Sequence, residues 1–327
     1  MFSTLAPSPH LRLCDADRVI EVLALSLLAI VAGVLAERRW KDSAKLASGR
    51  ILELIVYLML PIIIFFTVIH LKVTESVAAG LGFGWIERLV VIAIAWFIGT
   101  HVLKLKRPEI GALMAVVAIA NTGYLGIPLT ALLLGSKSIN LAVAYDAIVN
   151  SPVVLLIGFA VGAAYGTRAG ESPKERIKAF FTKNPPLYAQ ILGLLAPSSL
   201  DPSWGTTLSH SLALAMAPLA FFALGVNLML EHDETGVRIF PPPLTPAVGT
   251  ALALRLLVAP GVMVGLSLLL IKVPKPFLLE AGMASGLNAL VVAHLYGLDM
   301  KITVGAIAWS TTLVVSAATA VTLMGGI

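Results

Sequence analysis

Repeated long apolar segments constrain this chain more than any other feature, because about 20 apolar residues in a helix are enough to cross the hydrocarbon core of a bilayer. Ten such segments can be placed along the 327 residues. They lie at 19–36, 46–69, 85–103, 109–135, 139–165, 185–200, 208–230, 246–271, 276–298 and 302–324. The sequence therefore predicts an all-α polytopic membrane protein with about ten transmembrane helices.

Composition supports this class and excludes others. Hydrophobic residues make up 58% of the chain and charged residues 13%, which is far from the balance of a soluble domain. The formal net charge of +5 does not indicate a nucleic-acid partner, because the basic residues lie in short loops between apolar segments. The single cysteine, Cys14, excludes an intrachain disulfide and a cysteine-based metal cluster.

Enzymatic motifs are not found in the sequence. It has no phosphate-binding loop, no zinc-protease motif and no nucleophile elbow. The glycine run at 80–84 is interpreted as a loop between two spans. We therefore expect a protein that is not an enzyme and needs neither cofactor nor metal, with an ion channel or an intramembrane enzyme as the remote alternatives.

Basic residues predict the orientation in the membrane. Fifteen lysines and arginines follow the odd-numbered segments, whereas seven, including Arg88, fall on the opposite side. Cytoplasmic loops carry the excess of positive charge, so both termini are predicted on the outer side of the cell (inner) membrane. Residues 1–18 are interpreted as a short N-terminal tail, and 166–184 as a short basic cytoplasmic connection.

The two parts joined by that connection, 19–165 and 185–327, show traces of an internal repeat. Three short matches occur in the same order, at offsets of 157, 167 and 167 residues: Pro61–Phe66 with Pro218–Phe222, Arg88–Val91 with Arg255–Val258, and Asn121 with Asn288. With five spans in each half, the second half must insert upside down. Two inverted five-helix repeats are therefore predicted, which is a common plan of secondary transporters.

Two of the apolar segments are interrupted by helix-breaking residues. The first contains Asn121-Thr-Gly-Tyr-Leu-Gly-Ile-Pro-Leu129, and the second contains Gly282, Ser285, Gly286 and Asn288. Unwound backbone at membrane depth occurs only where protein buries it or where it lines a cavity, and paired interruptions indicate a transporter's binding site. The predicted substrate-binding residues are Asn121, Thr122, Gly123, Tyr124, Gly126, Pro128, Ser285, Gly286 and Asn288.

The chemistry of the predicted site favours an anion. The half-helices that begin near Pro128 and near Asn288 would place two N-termini at mid-membrane, where free N–H groups and the positive end of the helix dipole attract negative charge. A carboxylate is the natural ligand, and Asn121 and Asn288 would orient it without adding a fixed charge.

Charged residues inside the spans are candidates for ion coupling or for structural support. Asp146 lies about 10 Å along its span at helical rise, with Asn150 one turn further on the same face; the alternative is a helix-end aspartate that reaches the surface. Arg255 could bind substrate, pair with a carboxylate or hold the carbonyl ends of the broken helices, and a stabilising role is favoured. Glu280 is expected near a span end, at the membrane interface.

Four motifs give the sequence a family resemblance. Asn121–Leu129, Tyr145-Asp-Ala-Ile-Val-Asn150, Lys183–Leu187 and Leu224–Leu228 resemble the auxin efflux carrier family, which includes the plant PIN exporters and bacterial carriers of organic acids such as malate and malonate. The resemblance runs from about residue 19 to the end. It implies ten spans in two inverted repeats, a scaffold and a moving transport domain of the elevator type, and two broken helices that cross at the substrate site.

One departure from the family concerns the second break, where a proline usually precedes the crossing. Here the pair reads Met283-Ala284, and alanine can continue a helix, so this break depends on Ser285, Gly286 and Asn288.

The function expected from these observations is secondary transport of a small organic anion by alternating access. Export is favoured because an inside-negative potential of ~100 mV is worth about 2.3 kcal/mol per charge, so an anion can leave without a coupling ion. The alternative is a sodium- or proton-coupled symporter of the bile-acid-transporter type. The expected partners are the organic anion and the lipid bilayer, with a homodimer as one possible assembly.

Overall fold

The computed structural model describes residues 9–69, 73–167, 185–197, 200, 202–236 and 241–323. Regular structure in these ranges is helical, apart from an isolated antiparallel bridge between Ala120 and Ser285. The predicted connection 166–184 falls outside the described residues beyond Thr167, together with the basic residues between 168 and 183 that enter the orientation count. His70 to Lys72 and Arg238 also lie outside them.

The helices follow one another in the order of the predicted spans. They are α1 Pro9–Leu54, α2 Leu60–Val68, α3 Glu75–Phe97, α4 Arg107–Ala118, α5 Ile127–Leu134, α6 Ile139–Tyr145, α7 Phe159–Tyr165, α8 Pro185–Leu195, α9 Ser203–Thr235, α10 Pro246–Ala253, α11 Ala259–Leu269, α12 Lys275–Ala281, α13 Leu287–Tyr296 and α14 Met300–Leu323. Wide π-type turns extend several of them, at Ile55–Met59, Ile98–Val102, Thr122–Gly126, Asp146–Asn150, Val153–Gly158 and Leu254–Val258.

Six helical stretches in the described part of the chain are long and apolar enough to cross a membrane. They are Leu28–Val68, Glu75–Val102, Ile139–Tyr165, Trp204–Leu230, Pro246–Leu269 and Met300–Thr322, and two shorter apolar helices cover Thr122–Leu134 and Leu287–Tyr296. These findings confirm the all-α, multi-pass class. The arrangement as ten spans in two inverted repeats stays a prediction.

The first long helix begins earlier than its predicted span and is interrupted after it. It begins at Pro9, within the predicted tail of residues 1–18, and a sharp kink at Lys41, with φ 22° and ψ −92°, interrupts it. This kink lies between the segments 19–36 and 46–69, so the chain changes direction where a loop is predicted.

The start of α3 corrects a second boundary. The helix begins at Glu75, with the Thr74 hydroxyl accepting a hydrogen bond from the Val77 amide at 3.4 Å, so the glycine run at 80–84 is helical and not a loop. A Cβ on Gly80 would lie 2.2 Å from the Phe277 ring, and one on Gly84 2.9 Å from the Tyr145 ring. Gly80 and Gly84 therefore allow close packing against Phe277 and Tyr145. Because α3 begins at Glu75, the residues that follow these glycines lie well inside the span.

Helix α4 occupies the centre of the molecule. From Ile110 to Ala118 its apolar side chains are at most 8% exposed, as expected for a helix that is hydrophobic on every face. Helices α3, α7, α13 and α14 pack around it. The first interrupted span thus leads directly into the interior of the protein.

Candidate substrate site at the helix crossing

The first break begins immediately after α4. Ile119 is extended, with φ −92° and ψ 109°, and Asn121 also leaves the helical region, with φ −90° and ψ 53°. The chain then re-enters a helix through the wide turn Thr122–Gly126, which continues into α5 with Pro128 as its second residue. The motif therefore produces an interruption of three residues, followed by a new helix start.

The second break is present as well, although alanine replaces the usual proline. Helix α12 ends at Ala281, Gly286 is extended with φ −83° and ψ 149°, and α13 begins at Leu287. Ala284 is fully buried and its carbonyl accepts a hydrogen bond from the Asn121 amide at 2.8 Å. A partner from the other break replaces the helical bond that Ala284 would otherwise make.

The two breaks cross in antiparallel direction and satisfy each other's backbone. Besides the bond to Ala284, the Gly286 amide donates to the Ile119 carbonyl at 2.8 Å. A Cβ on Gly286 would lie 2.6 Å from the Ala120 carbonyl oxygen, so only glycine permits this approach. Backbone groups that would otherwise be unpaired in a nonpolar interior are paired.

Serine side chains complete the pairing around Ser285. Its hydroxyl donates to the Val116 carbonyl at 2.8 Å, and its amide donates to the Ser310 hydroxyl at 3.0 Å. Ser285 is 1% exposed. It therefore joins the second break to the end of α4 and to α14.

Arg255 holds the carbonyl ends of both interrupted helices. Its Nε donates to the Met283 carbonyl at 2.8 Å, and its Nη2 donates to Ala281 at 2.6 Å. Its Nη1 donates to Val117 at 3.2 Å and to Glu87 Oε1 at 3.3 Å. The guanidinium is fully buried, and it faces the helix ends where the dipole is negative.

A buried ionic cluster extends from Arg255 into α3. Glu87 Oε1 also accepts from Arg88 Nη1 at 3.0 Å, and Tyr145 Oη lies 3.5 Å from Glu87 Oε2. All four of these side chains are inaccessible to solvent. Counting Arg88 as a basic residue at a span end was therefore wrong, because α3 starts ten residues before the predicted span does.

The prediction for Glu280 is also wrong. The side chain is fully buried, and Oε1 accepts a hydrogen bond from Thr130 at 3.0 Å. Oε2 has no hydrogen-bond partner, and it lies 2.0 Å from the position that a Cβ on Gly126 would take. Gly126 leaves the space that this carboxyl group occupies. Glu280 is therefore packed against the first break in the interior of the protein and does not lie at the membrane interface.

A cavity of about 190 Å³ opens on the other side of the crossing. Residues from both breaks line it, with further groups from the span that carries Asp146 and from helices α2 and α8. Its polar lining consists of Asn121, Tyr124, Asp146, Asn150, Ser151, Gln190 and Asn288. The two interrupted spans thus contribute to a single binding space.

Asp146 lies in the cavity wall beside the first break. The hydroxyl of Thr122 and the side-chain amide of Asn150, the latter at 3.2 Å, both donate to Asp146 Oδ1. Asn150 Oδ1 in turn accepts from the Ala120 amide at 3.1 Å. Asn150 therefore links the carboxylate to the crossing.

The predicted site residues separate into two groups. The cavity is lined by Asn121, Gly123, Tyr124, Asp146, Asn150 and Asn288. Away from its lining lie Thr122, Gly126, Pro128, Ser285, Gly286 and Arg255, which contact the crossing backbone, the buried ionic cluster or Asp146. Substrate binding by the first group stays a prediction.

Sequence reasoning missed several residues of this region. Gln190, which is 7% exposed and comes from the short helix α8, reaches the cavity, as does Ser151. Glu87 was missed because the predicted start of its span put it at a helix end. An earlier start for that span, indicated by Thr74 as a helix cap before an apolar run, was the available signal. Among the described residues, no group of three or more His, Cys, Asp and Glu side chains could hold a metal ion.

Comparison with known proteins places the chain in a class. The sequence profile of the family described as "Membrane transport protein" matches residues 172–322. Over 318 residues the chain is 27% identical to an uncharacterized transporter of Methanocaldococcus jannaschii, covering 90% of this chain and 94% of that protein. The chain is therefore similar to this membrane transport family over residues 172–322 and to an uncharacterized transporter over most of its length.

A second relative agrees with the assignment. An uncharacterized transporter of Methanothermobacter thermautotrophicus is 29% identical over 215 residues, covering 62% of this chain and 63% of the relative. The resemblance that starts from the Asn121 motif is thereby confirmed at the level of the family. The apolar helices agree with a multi-pass membrane protein, and the proteins that the chain resembles are named as transporters.

Proposed function

We propose that this transporter carries a small carboxylate, which binds in the cavity between the two helix breaks and crosses the membrane by alternating access. The observation that carries the proposal is the convergence of two helix N-termini and two asparagines, Asn121 and Asn288, on one cavity. An anion is the ligand that such helix ends favour.

The backbone around the cavity offers unused donors. The first hydrogen bonds of the restarted helix are made by the Leu125 and Gly126 amides to the Asn121 carbonyl, at 3.3 and 2.9 Å. In α13 the corresponding first bond is from Ala289 to Gly286, at 3.0 Å. The amides before these positions have no carbonyl of their own helix to bind, so they are available to a carboxylate.

Cavity size supports a small substrate. Sites for drug-sized ligands measure about 300–1,000 Å³, whereas this cavity measures about 190 Å³. A carboxylate of a few carbon atoms fits this range. Apolar side chains in the lining, among them Val56, Leu60 and Ile64, would contact its carbon skeleton.

The architecture proposed for transport remains the one expected from the sequence. Two inverted five-helix repeats would cross at the site, one domain would act as scaffold and the other would move in an elevator-type step. Both termini would face the outside of the cell membrane. The crossing supports this plan, because the two breaks pair through reciprocal backbone bonds in the way expected of related halves.

Counterflow in proteoliposomes tests the proposal. Vesicles that contain the purified full chain are loaded with unlabelled acetate, lactate, malonate or malate and placed in the same labelled acid. We expect transient accumulation of label that saturates with concentration and is absent from protein-free vesicles. Flux that rises without saturation, at rates typical of ion channels, would support a channel instead; uptake of none of the acids would refute the substrate class.

The energy source has two candidates. Sequence considerations favour uncoupled export driven by the membrane potential. One structural observation favours a coupled carrier, namely a carboxylate, Asp146, in the wall of a cavity proposed to bind anions.

A further inference from the structure

Asp146 carries the one formal charge among the described residues that line the cavity. An ionised carboxylate at this place opposes the binding of a second carboxylate. We infer that Asp146 binds one proton together with each substrate anion, so that the chain is a proton-coupled carrier. This inference rests on the proposed function, because it concerns the binding site of the same carboxylate.

The position of the carboxyl group suits a proton acceptor that responds to substrate. Both donors, the Thr122 hydroxyl and the Asn150 amide, reach Oδ1, which leaves Oδ2 to take the proton. A Cβ on Gly123 would lie 3.4 Å from both carboxyl oxygens, so Asp146 lies directly against the unwound backbone that is proposed to bind the anion.

A second observation indicates that the same place is built for a ligand. Asn121 is 4% exposed and lines the cavity, yet its side-chain carbonyl oxygen is buried without a hydrogen-bond partner. Buried polar groups are nearly always paired in folded proteins. A carboxylate only accepts hydrogen bonds, so a hydroxyl group on the substrate, as in lactate, would be the donor that satisfies this oxygen.

The size of the cavity makes the repulsion strong. A space of about 190 Å³ is roughly 7 Å across, so an anion in it is about 5 Å from Asp146, and at an effective dielectric constant near 20 this weakens binding on the order of 100-fold. Protonation of Asp146 removes the repulsion and leaves the two positive helix ends unopposed. The protonated carrier is therefore the form that binds the anion.

Charged side chains on the neighbouring elements lie behind the crossing. Arg88 and Glu87 on α3, Glu280 on α12 and Arg255 after α10 form the buried ionic cluster behind the crossing, within electrostatic reach of Asp146 or of one another. Tyr124, in the break, lines the same cavity as Asp146.

The inference changes the expected energetics of transport. A monovalent anion that moves with one proton carries no net charge, so its flux follows the pH gradient and not the membrane potential. Anion binding should be tightest at low pH and should weaken as Asp146 loses its proton. Within that range the apparent Kd should rise about tenfold per pH unit, the slope for one proton per anion.

The test uses the full chain in proteoliposomes with labelled lactate and an internal pH dye. For the wild type, we expect that adding lactate outside acidifies the lumen faster than in protein-free vesicles. Lactate exchange at equal pH on both sides should be at least tenfold faster at pH 6 than at pH 8. An imposed potential without a pH gradient should leave net flux unchanged.

Asp146→Asn separates a proton on the carrier from a proton on the substrate. The amide imitates the protonated carboxyl group, so exchange should persist and become equal at pH 6 and pH 8, while lactate-driven acidification above the vesicle background is lost. The matched control is Asp233→Asn, at an exposed aspartate of α9, which should keep the wild-type pH dependence.

Other outcomes overturn the inference. Unchanged pH dependence in Asp146→Asn would place the proton on the substrate, and wild-type flux that follows Na⁺ or the potential would exclude proton coupling while leaving carboxylate transport intact. If Asp146→Asn does not fold, calorimetry of lactate binding to the wild type in buffers of different ionisation enthalpy decides, since uptake of fewer than about 0.5 protons per anion at pH 7 contradicts the inference. Failure of the proposed function would show instead as no carboxylate exchange at any pH.

Discussion

The two sides of the helix crossing differ in how the polar groups of the backbone breaks are paired. On the side of Arg255, guanidinium and hydroxyl groups already occupy the exposed carbonyls at fixed distances, and the side chains are inaccessible to solvent. On the side of Asn121 and Asn288, residues of both breaks line an open cavity, and the buried side-chain oxygen of Asn121 has no hydrogen-bond partner.

This difference teaches how an interrupted helix can be both stable and functional inside a membrane protein. The carbonyl ends are paired within the protein, because nothing else would pair them in a nonpolar interior. Under the proposed function, the N–H ends would bind the substrate, which would complete their hydrogen bonding. We expect substitutions on the closed side to affect stability, and substitutions on the cavity side to affect transport.

The largest expected effect is that of Arg255→Ala, on the closed side. The change leaves three carbonyls without the Arg255 donor and removes one of the two guanidiniums that pair with Glu87, and loss of one partner of a buried ionic pair costs about 3–5 kcal/mol. We expect poor recovery of monodisperse protein and a markedly lower thermal midpoint in detergent.

Arg107→Ala is the matched control for this prediction. Arg107 also donates to a carbonyl, that of Ala164, at 3.0 and 2.6 Å, but it is exposed. Its removal should shift the midpoint only slightly. Equal losses in the two variants would show that the buried clamp has no special role.

Asparagine substitutions on the cavity side should act in the opposite way. Asn121→Ala removes an oxygen that has no partner in the structure, so stability should stay close to that of the wild type. Hydrogen bonds to a charged group are worth about 1.5–3 kcal/mol, so carboxylate affinity should fall about 10- to 100-fold in Asn121→Ala and in Asn288→Ala. Saturation of counterflow and thermal unfolding are the measurements, with Asn140→Ala, outside the cavity lining, as the control. Similar stability losses in these variants and in Arg255→Ala would erase the distinction between the two sides.

Two glycines of the first break provide a smaller and sharper comparison. A Cβ at position 126 would lie 2.0 Å from Glu280 Oε2, whereas one at position 123 would be at ordinary contact distance, 3.4 Å, from Asp146. Gly126→Ala should therefore cost about 1–3 kcal/mol of stability, as overpacking usually does. Gly123→Ala should leave the thermal midpoint nearly unchanged and weaken substrate binding, because Gly123 lines the cavity. The reverse pattern would contradict the geometry of the break.

Ser285→Ala should have the smallest effect of this series. It removes the donor to the Val116 carbonyl, which should cost about 1–2 kcal/mol. Although the sequence predicts Ser285 as a substrate-binding residue, it lies outside the cavity lining, so the Kd for carboxylate should remain within about twofold of the wild type. Ser211→Ala, at an exposed serine that bonds the Thr207 carbonyl of its own helix, controls for loss of a hydroxyl. A larger change in carboxylate affinity than in thermal stability would show that Ser285 contacts the substrate and would contradict this prediction.

The sequence predicts the first break well because its cause is local. Asn121, Gly123 and Pro128 act on their own backbone, so the interruption can be located without knowledge of what packs against it. The second break depends on a partner instead. The crossing strand of the first break supplies the bond that holds Ala284 out of a helix, and a contact of this range leaves no signature in the nearby sequence.

The buried ionic cluster could not be predicted for a related reason. Burial of Glu280 requires the missing side chain of Gly126 on another helix, and Glu87 and Arg88 become interior only because α3 begins at Glu75. Hydropathy places both arginine and glutamate at span ends by default, since their charge favours water. Gln190 escaped notice because a short, apolar helix carries no signal for which face meets a cavity.

Counterflow of labelled malonate tests the central claim most directly, with the wild type compared with an Asn121→Ala, Asn288→Ala double variant of the full chain. The account predicts saturable accumulation by the wild type, competition by other small carboxylates, and at least a tenfold loss in a double variant that unfolds at the same temperature as the wild type. Accumulation by the double variant equal to that of the wild type would contradict binding of the carboxylate between the two breaks.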